Sequence, residues 1–455
     1  MRQIWEKTGY ALAETGIFAQ EFLLRLELLK FYQEKMGVSA YLVGIGVALG
    51  LIWDALSDPI MGYISDHTQS RWGNRRPYLL AGGVLLAICN YFLFHPPDVK
   101  NSWLLFFYLV IGYLALNTAL TVLSVPHAAL SGELAFNPQE RVGVFVLRFT
   151  FGNLGLFVAL LALTMLEVQN ASRLVSTIVF FTALISFFAV RKVPSYPIKT
   201  KIGLRKSMVD FFSSLKVLWK NGYFRPLVLA YTIAYTGIAI NSATGRYYYE
   251  YFLGFNRQET GVVLIVFLLV WTLSLVLWST LARRLDKKTL GFWGVFLLGI
   301  MTTFGYPLFP AGKMLWPILA AVVGGLLVGS IVLLDSLVAD IVDYDELKTR
   351  EHREGLYFGL WKMAVKLSRA LGLFLSGLAL SAIGVDQKRD LSAASGHLGL
   401  LFGPGVGLFF ILGAIVFLFM PLTAKRHERI QNLLVRRLKL TGQKVAAATG
   451  HSVGT

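Results

Sequence analysis

The sequence predicts an all-α membrane protein whose twelve transmembrane helices form two six-helix bundles. Of its 455 residues, 55% are hydrophobic and 15% are charged, whereas a soluble domain usually carries about a quarter charged residues. Apolar runs recur along the chain that are long enough to cross about 30 Å of hydrocarbon, which takes about 20 residues. One long polar stretch, from Arg191 to Gly222, divides these runs into six and six. A disordered chain would be poor in Leu, Ile, Val and Phe, and is therefore excluded.

The apolar runs set the boundaries of the predicted spans. In the first half they lie near residues 9–33, 38–64, 78–96, 102–131, 143–168 and 172–190. In the second half they lie near residues 224–252, 258–282, 289–310, 315–342, 355–384 and 398–422. We therefore expect an N-terminal bundle over 1–190, a central loop over 191–222, a C-terminal bundle over 223–422 and a basic tail over 423–455. Two such halves are typical of many secondary transporters.

The formal net charge of +17 predicts the orientation. Lys and Arg concentrate in the central stretch, in the tail and in the loops after spans two, eight and ten. Because basic residues of short loops mark the cytoplasmic side, we expect both termini in the cytoplasm of a plasma (cell inner) membrane. The basic residues lie between apolar runs, which favours membrane lipids over nucleic acid as their partner. The single cysteine, Cys89, excludes an internal disulfide.

Two carboxylates lie inside the second predicted span. Asp54 and Asp58 are four residues apart, so both lie on one helix face. Like charges at this distance repel each other in a low-dielectric site, and a bound cation or a proton relieves the repulsion. Ser57 adds a hydroxyl, and Pro59 frees a carbonyl one turn back. Carboxylates with neutral oxygens suit a small hard cation such as sodium. An ion pair with a basic residue of another span is the alternative.

Two cations also lie inside spans, where ionisable groups are costly and often functional. Arg148 is in span five and Lys366 is in span eleven. Buried cations need acidic partners, and Asp54 and Asp58 are the expected ones. Such pairs either weaken when an ion arrives or serve as purely structural bridges.

Spans one and four carry further candidates for solute contact. Ser124 and His127 follow Thr121 in span four; the hydroxyls either bond back to their own helix or line a site, and the histidine either carries a proton or sits at the interface. In span one, Glu14 has no basic neighbour at helical spacing. Glu21 has Arg25 four residues on, so a local salt bridge is the alternative to solute binding.

Two charged loops are candidate gates, because charges at helix ends can hold helices together in one conformation and release them in another. Solvated loops are the alternative. The residues concerned follow span two (Asp66, Arg71, Arg75 and Arg76) and span ten (Asp340 and Asp343). The sequence contains no Gly-rich phosphate loop, metal-ligand cluster or nucleophile elbow, so neither an enzyme nor a cofactor is predicted.

The stretch from Asp54 to Pro77, with Asp-x-x-x-Asp-Pro and a later Ser-Arg-Trp-Gly, resembles the glycoside–pentoside–hexuronide:cation symporters. These are typified by melibiose permease and belong to the major facilitator superfamily. The segment Ala339-Asp-Ile-Val-Asp-Tyr344 is similar to the end of that family's tenth span. The resemblance implies symport with sodium, lithium or protons by alternating access. Its cation ligands fall on Asp54, Ser57, Asp58 and Thr121, and its charge-balancing residues on Arg148 and Lys366.

The family's sugar site is altered in this chain. The aspartates that hold the sugar fall on Phe18 and Ser124, and the tryptophan that follows in span four falls on Ala128. A different glycoside held by Glu14 or Glu21 is one reading. A lysolipid-like solute is another, since the lysophospholipid symporters of animals belong to the same wider group.

The prediction is therefore a monomeric, cation-coupled symporter of a small organic solute, a sugar or glycoside, with Na+ as the ion and H+ or Li+ as alternatives. The alternative solute is lysolipid-like or otherwise amphipathic. The rival from a different class is a non-transporting membrane scaffold or lipid-handling protein, which would tolerate neutralisation of Asp54 and Asp58.

Overall fold

The structure is a computed structural model, and it describes residues 2–68, 70–134, 138–192, 219–282, 284–349, 354–385, 391–421, 426, 428–430 and 432–433. Most of the predicted central loop and of the tail therefore lies outside the described residues. Every predicted span contains a helix, and the described secondary structure is entirely helical. This confirms the predicted fold class.

The first half contains seven helices: α1 (Arg2–Ala11), α2 (Ala13–Lys30), α3 (Ala40–His67), α4 (Arg76–Leu93), α5 (Ser102–Leu134), α6 (Pro138–Met165) and α7 (Val168–Ala189). The second half contains α8 (Phe224–Tyr247), α9 (Arg257–Leu281), α10 (Lys287–Gly305), α11 (Leu315–Val328), α12 (Val332–Thr349), α13 (Glu354–Ile383), α14 (Leu391–Leu400) and α15 (Val406–Leu418). A short 3-10 turn joins α11 to α12, and a π-helical turn joins α14 to α15, so each pair forms one span.

Eleven helical segments among the described residues are long and apolar enough to cross a membrane. The first segment, α1 with α2, is not among them, although it has the necessary length. Charged residues along it (Glu14, Glu21, Arg25, Glu27 and Lys30) lower its hydropathy. Most of them are largely buried against partners on other helices, so this segment is surrounded by protein rather than lipid.

The halves pack against each other mainly through α3 on α13, with additional contacts of α2 on α8 and α6 on α9. One hydrophobic core belongs chiefly to the first half and takes in a few side chains of α8 and α13, and a second core lies wholly within the second half. Large apolar side chains on the outside, such as Ile111, Leu273 and Phe304, are more than half exposed. An apolar exterior of this kind suits a lipid environment.

We call one end of the bundle the far end, because it lies opposite the N-terminus. At this end α2 ends and α3 begins. At the far end, α2 continues into a π-helical turn, Phe31–Lys35, and α8 continues into another, Tyr248–Phe252. Gly37 and Gly254 follow with φ of 70° and 73°, which only glycine adopts freely. Ser39 and Asn256 then cap α3 and α9. Every one of these features recurs after 217 residues.

A close contact between the halves is made by glycines of α3 and α13 near the far end. A Cβ added to Gly377 would lie 2.3 Å from the backbone oxygen of Ala40, whereas one added to Gly359 on the same helix would meet nothing within 4 Å. The backbones can approach closely because no side chain stands between them.

We expect Gly377→Ala to separate α3 from α13 and to lower the free energy of unfolding by about 1–3 kcal/mol, as overpacking usually does. Thermal unfolding of the purified protein measures this, and Gly359→Ala is the matched control, with no steric cost expected. Equal midpoints for the two variants would contradict the close helix approach.

Candidate functional site

The four residues predicted to hold a cation lie together in the interior. Asp54, Ser57 and Asp58 lie on one face of α3, and Thr121 faces them from α5. The Thr121 hydroxyl is 2.8 Å from Oδ1 of Asp54 and 3.0 Å from Oδ1 of Asp58. Ser57 Oγ lies 3.2 Å from Thr121 Oγ1. Asp54, Ser57 and Thr121 are buried, while the Asp58 side chain is 30% exposed. The arrangement is a cluster of oxygens with one partly open side.

The ammonium of Lys366 lies between the two carboxylates. Its Nζ is 2.8 Å from Oδ2 of Asp54 and also forms an ion pair with Asp58. Lys366 belongs to α13, in the second half, whereas both aspartates belong to the first. The predicted pairing of Lys366 with these aspartates is therefore present in the structure. A positive charge of the second half thus lies between two carboxylates of the first, at the position where the sequence predicts a cation site.

Arg148 does not pair with Asp54 or Asp58, contrary to the sequence-based expectation. Its guanidinium on α6 donates to the carboxylate of Glu14 on α2. Glu14, which has no basic neighbour at helical spacing, also lies 3.5 Å from Nδ1 of His127 on another helix. The other ring nitrogen of His127 is 2.9 Å from the backbone oxygen of Tyr10, whose ring stacks on the imidazole. These buried side chains form a separate polar cluster within the first half.

Glu21 makes its main contact with a residue that sequence reasoning missed. Its carboxylate accepts a hydrogen bond from Arg369 of α13 at 3.2 Å, while Arg25 lies 4.0 Å away. The expected Glu21–Arg25 contact is therefore the longer of the two. These three side chains and Asp54 line a cavity of about 30 Å³ between the halves, together with Tyr235 and several apolar side chains.

The remaining predicted solute contacts are not gathered at this cavity. Phe18 is half-buried, and its ring lies against Gly152 of α6, where an added Cβ would be 3.2 Å from the ring. Ser124 is half-buried on α5. Of the solute candidates, only Glu21 lines the cavity beside the cation cluster.

Two of the gate residues predicted after span two donate hydrogen bonds to backbone oxygens of the first half. Arg75 donates to the backbone oxygen of Ala129 at 2.8 Å, and Arg76 donates to that of Arg191 at 2.6 Å. Exposed Arg71 lies over the ring of Trp72. The Asp66 side chain lies outside the described part of the structure.

In the gate predicted after span ten, Asp340 forms an ion pair within the second half. Asp340 of α12 pairs with Lys287 of α10, whose Nζ is 3.0 Å and 2.9 Å from its two oxygens. Asp343, one turn further along the helix, is half-buried.

A second set of charges that the sequence reasoning missed joins the halves at the far end. Lys30 pairs with Glu250, and Arg246 pairs with both Glu27 and Glu250. Tyr251 donates to Glu34 at 2.7 Å, and Tyr247 donates to Gln33 at 3.1 Å. These residues could have been identified as candidates from the sequence, because their charges interrupt the first and seventh apolar runs. Together with the glycine contact, they close the far end.

Comparisons with known proteins match the chain to one family, to relatives of about a quarter identity and to solved structures of similar fold. The family described as MFS/sugar transport protein matches residues 9–424 of the chain. The inner membrane symporter YicJ of Escherichia coli is 25% identical, over 97% of this chain and 94% of that protein. The isoprimeverose transporter of Lactiplantibacillus pentosus is 25% identical, over 91% and 88%. The crystal structure of a D-xylose-proton symporter superposes with a TM-score of 0.65 at 15% identity, covering 91% of this chain and 97% of that one.

Proposed function

Since the chain belongs to the MFS/sugar transport protein family, a family of transporters rather than enzymes, we propose that it is a cation-coupled symporter of a small organic solute. The observation that carries this proposal is the ammonium of Lys366 between Asp54 and Asp58. A cation that enters the same oxygen cluster competes with that ammonium. Binding of the cation therefore breaks a contact between the halves. The cation thus has different affinities for the state with this contact and the state without it, and coupling requires such a difference.

The coupling ion we propose is Na+, with Asp54, Ser57, Asp58 and Thr121 as its ligands. Carboxylate and hydroxyl oxygens are the donors that hard cations prefer. A proton or Li+ is the alternative, using the same two carboxylates. Lys366 supplies the balancing charge when the ion is absent, while Arg148 acts in the first half by keeping Glu14 neutralised.

The solute we propose is a sugar or glycoside, in line with the description of the family and with the isoprimeverose transporter among its relatives. Glu21 is the predicted solute contact best supported by position, because it lines the cavity beside Asp54. Glu14 and His127 belong to a separate polar cluster. In this proposal they hold Arg148 and α2 in position.

We propose that the protein works as a monomer in the cell inner membrane, with both termini in the cytoplasm. This orientation follows from the distribution of Lys and Arg among the loops. The far end, closed by Lys30, Arg246 and Glu250, then faces outward. Transport proceeds by tilting of one half against the other about the central site, so the outward side opens when these ion pairs separate.

The test is solute uptake by the purified full chain reconstituted in liposomes. Under an inward sodium gradient we expect labelled sugars or glycosides to accumulate, because downhill sodium entry drives uphill solute entry. Dissipating the gradient with a sodium ionophore is the control and should abolish accumulation.

The other gradients and solutes decide between the alternatives. Accumulation under a proton gradient alone would identify H+ rather than Na+ as the coupling ion. Accumulation of lysolipids instead of glycosides would identify a lysolipid as the solute. Uptake that no ion gradient affects would contradict symport.

A further inference from the structure

A pair of cations lies at the end of the bundle that also carries the N-terminus, where α10 begins and α15 ends. Lys288, in the first turn of α10, donates to the backbone oxygens of Leu418 and Met420, the first at 3.0 Å. Arg426 donates to the backbone oxygen of the next residue, Pro421, at 2.9 Å. Both cations thus hold carbonyl groups that a helix leaves unpaired at its C-terminus.

These two cations are available to a further acceptor. Among the described residues, neither Lys288 nor Arg426 forms an ion pair with a carboxylate, and their partners are the backbone oxygens. The Asp286 carboxylate, two residues before Lys288, caps α10 by accepting from Thr289. An ammonium and a guanidinium carry more N–H donors than these contacts use. Each cation can therefore donate to one more group.

The described charges at this corner leave an excess of about one positive unit. The C-terminus of α15 contributes about −0.5 and the N-terminus of α10 about +0.5, so the two helix ends cancel. The Asp286 carboxylate offsets one of the two cations. Glu428 and Arg429 are exposed and add one charge of each sign, and exposed Arg284, in the turn before α10, makes the excess larger. A group with one negative charge therefore suits the corner.

Apolar side chains that face outward lie between the polar contacts. Phe419 is 74% exposed and Leu418 is 49% exposed, and both belong to the segment whose carbonyl groups the cations hold. Ile430 packs into the core of the second half, so it keeps the helical residues that follow Arg426 against the bundle. Cations and exposed apolar side chains therefore lie side by side, as the headgroup and the hydrocarbon of a lipid do.

We infer that this corner binds an anionic phospholipid of the cytoplasmic leaflet, with its phosphate on Lys288 and Arg426 and an acyl chain along Phe419. A phosphodiester carries one negative charge, and its oxygens form strong hydrogen bonds with cationic donors. The cytoplasmic leaflet carries anionic lipids, which bind basic pockets between transmembrane helices, and in the orientation proposed above this end faces the cytoplasm. The bound lipid joins the start of α10, the end of α15 and the tail, and so stabilises the second half.

Thermal unfolding of the full chain in nonionic detergent tests this, with phosphatidylglycerol and phosphatidylcholine of identical acyl chains as probes. Phosphatidylglycerol should raise the unfolding midpoint until the site is saturated, because a ligand that binds only the folded state stabilises it. Phosphatidylcholine, whose headgroup has no net charge, should raise the midpoint less. Inorganic phosphate at the same concentration should leave it unchanged, because it has no chain to cover Phe419.

The variant Lys288→Gln/Arg426→Gln should lower the apparent affinity for phosphatidylglycerol about 10- to 100-fold, the usual effect of losing hydrogen bonds to a charged group. Because Lys288 also holds the end of α15, each variant is compared with itself in the absence of lipid. Lys100→Gln/Lys313→Gln is the matched control, since it removes two positive charges from exposed loops at the far end and should leave the affinity unchanged. If the first variant does not fold, Arg426→Gln alone should lower the affinity about tenfold.

The inference is overturned if the two lipids stabilise the protein equally, if the Lys288 and Arg426 variants keep the preference for phosphatidylglycerol, or if inorganic phosphate reproduces its effect. An equal loss of affinity in the far-end control would also overturn it, because the attraction would then come from the net charge of the whole protein. None of these measurements involves transport, so their failure leaves the proposed function in place.

Discussion

Asp58→Asn is expected to abolish solute accumulation driven by an ion gradient. The carboxylate of Asp58 accepts from Thr121 at 3.0 Å and from Lys366. The amide keeps the shape but not the charge, so the oxygen cluster no longer favours a cation over water. Without a differential affinity for the ion there is no coupling free energy, and the solute should only equilibrate across the membrane.

The measurement is uptake into liposomes under a sodium gradient, with solute exchange at zero gradient as the reference for a functional pathway. Asp98→Asn is the matched control, because Asp98 lies exposed in the loop after α4 and should leave accumulation unchanged. Undiminished accumulation in Asp58→Asn would remove the coupling role of this carboxylate.

Lys366→Met should make the protein dependent on sodium for stability. The substitution leaves Asp54 and Asp58 without the ammonium that now lies between them. Removing one partner of a buried ion pair typically costs about 3–5 kcal/mol, so the unfolding midpoint in sodium-free buffer at neutral pH should fall markedly. Sodium should restore it, because the ion takes the vacated position, and the sodium-dependent thermal shift should exceed that of the unaltered chain.

Lys313→Met is the control for this second experiment. Lys313 lies exposed in the loop between α10 and α11, so its loss should leave the sodium response as it was. If Lys366→Met showed only the sodium shift of the unaltered protein, the ammonium would not stand in for the coupling ion.

Local spacing explains why the proximity of Asp54, Asp58, Thr121 and Lys366 could be predicted from sequence. Asp54 and Asp58 share a helix face by their spacing alone, and the resemblance to the symporter family identified Thr121 and Lys366 as their neighbours. The structure brings all four within contact distance. The approximate limits of the spans were also predictable, because lipid demands uninterrupted apolar length.

The partners of Arg148 and Glu21 could not be predicted in this way. Both depend on how one helix is rotated against another, which single-sequence patterns do not fix. Arg148 meets Glu14 because α6 packs beside α2, and Glu21 meets Arg369 because α13 crosses between the halves. Counting charges within spans would have identified Arg369, Arg246 and Glu250 as candidates, but not the residues they contact.

The recurrence of the far-end turn after 217 residues makes the contact there an isologous one. Lys30 corresponds to Tyr247 and Gln33 to Glu250, so the Lys30–Glu250 pair has its counterpart in the Tyr247–Gln33 hydrogen bond. Glu34 corresponds to Tyr251, and these two residues bond to each other. A pseudo-two-fold axis therefore passes between them, as is expected between the halves of such a protein.

The two halves consequently meet at the far end as two subunits meet in a symmetric dimer. In the tilting motion that we propose for transport, contacts on either side of the axis lengthen by equal amounts. The ion pair and its uncharged counterpart must then separate in the same step, although only one of them carries charge. The symmetry of the backbone thus makes the proposed opening a single concerted event. The difference in side chains sets the free energy that opening requires.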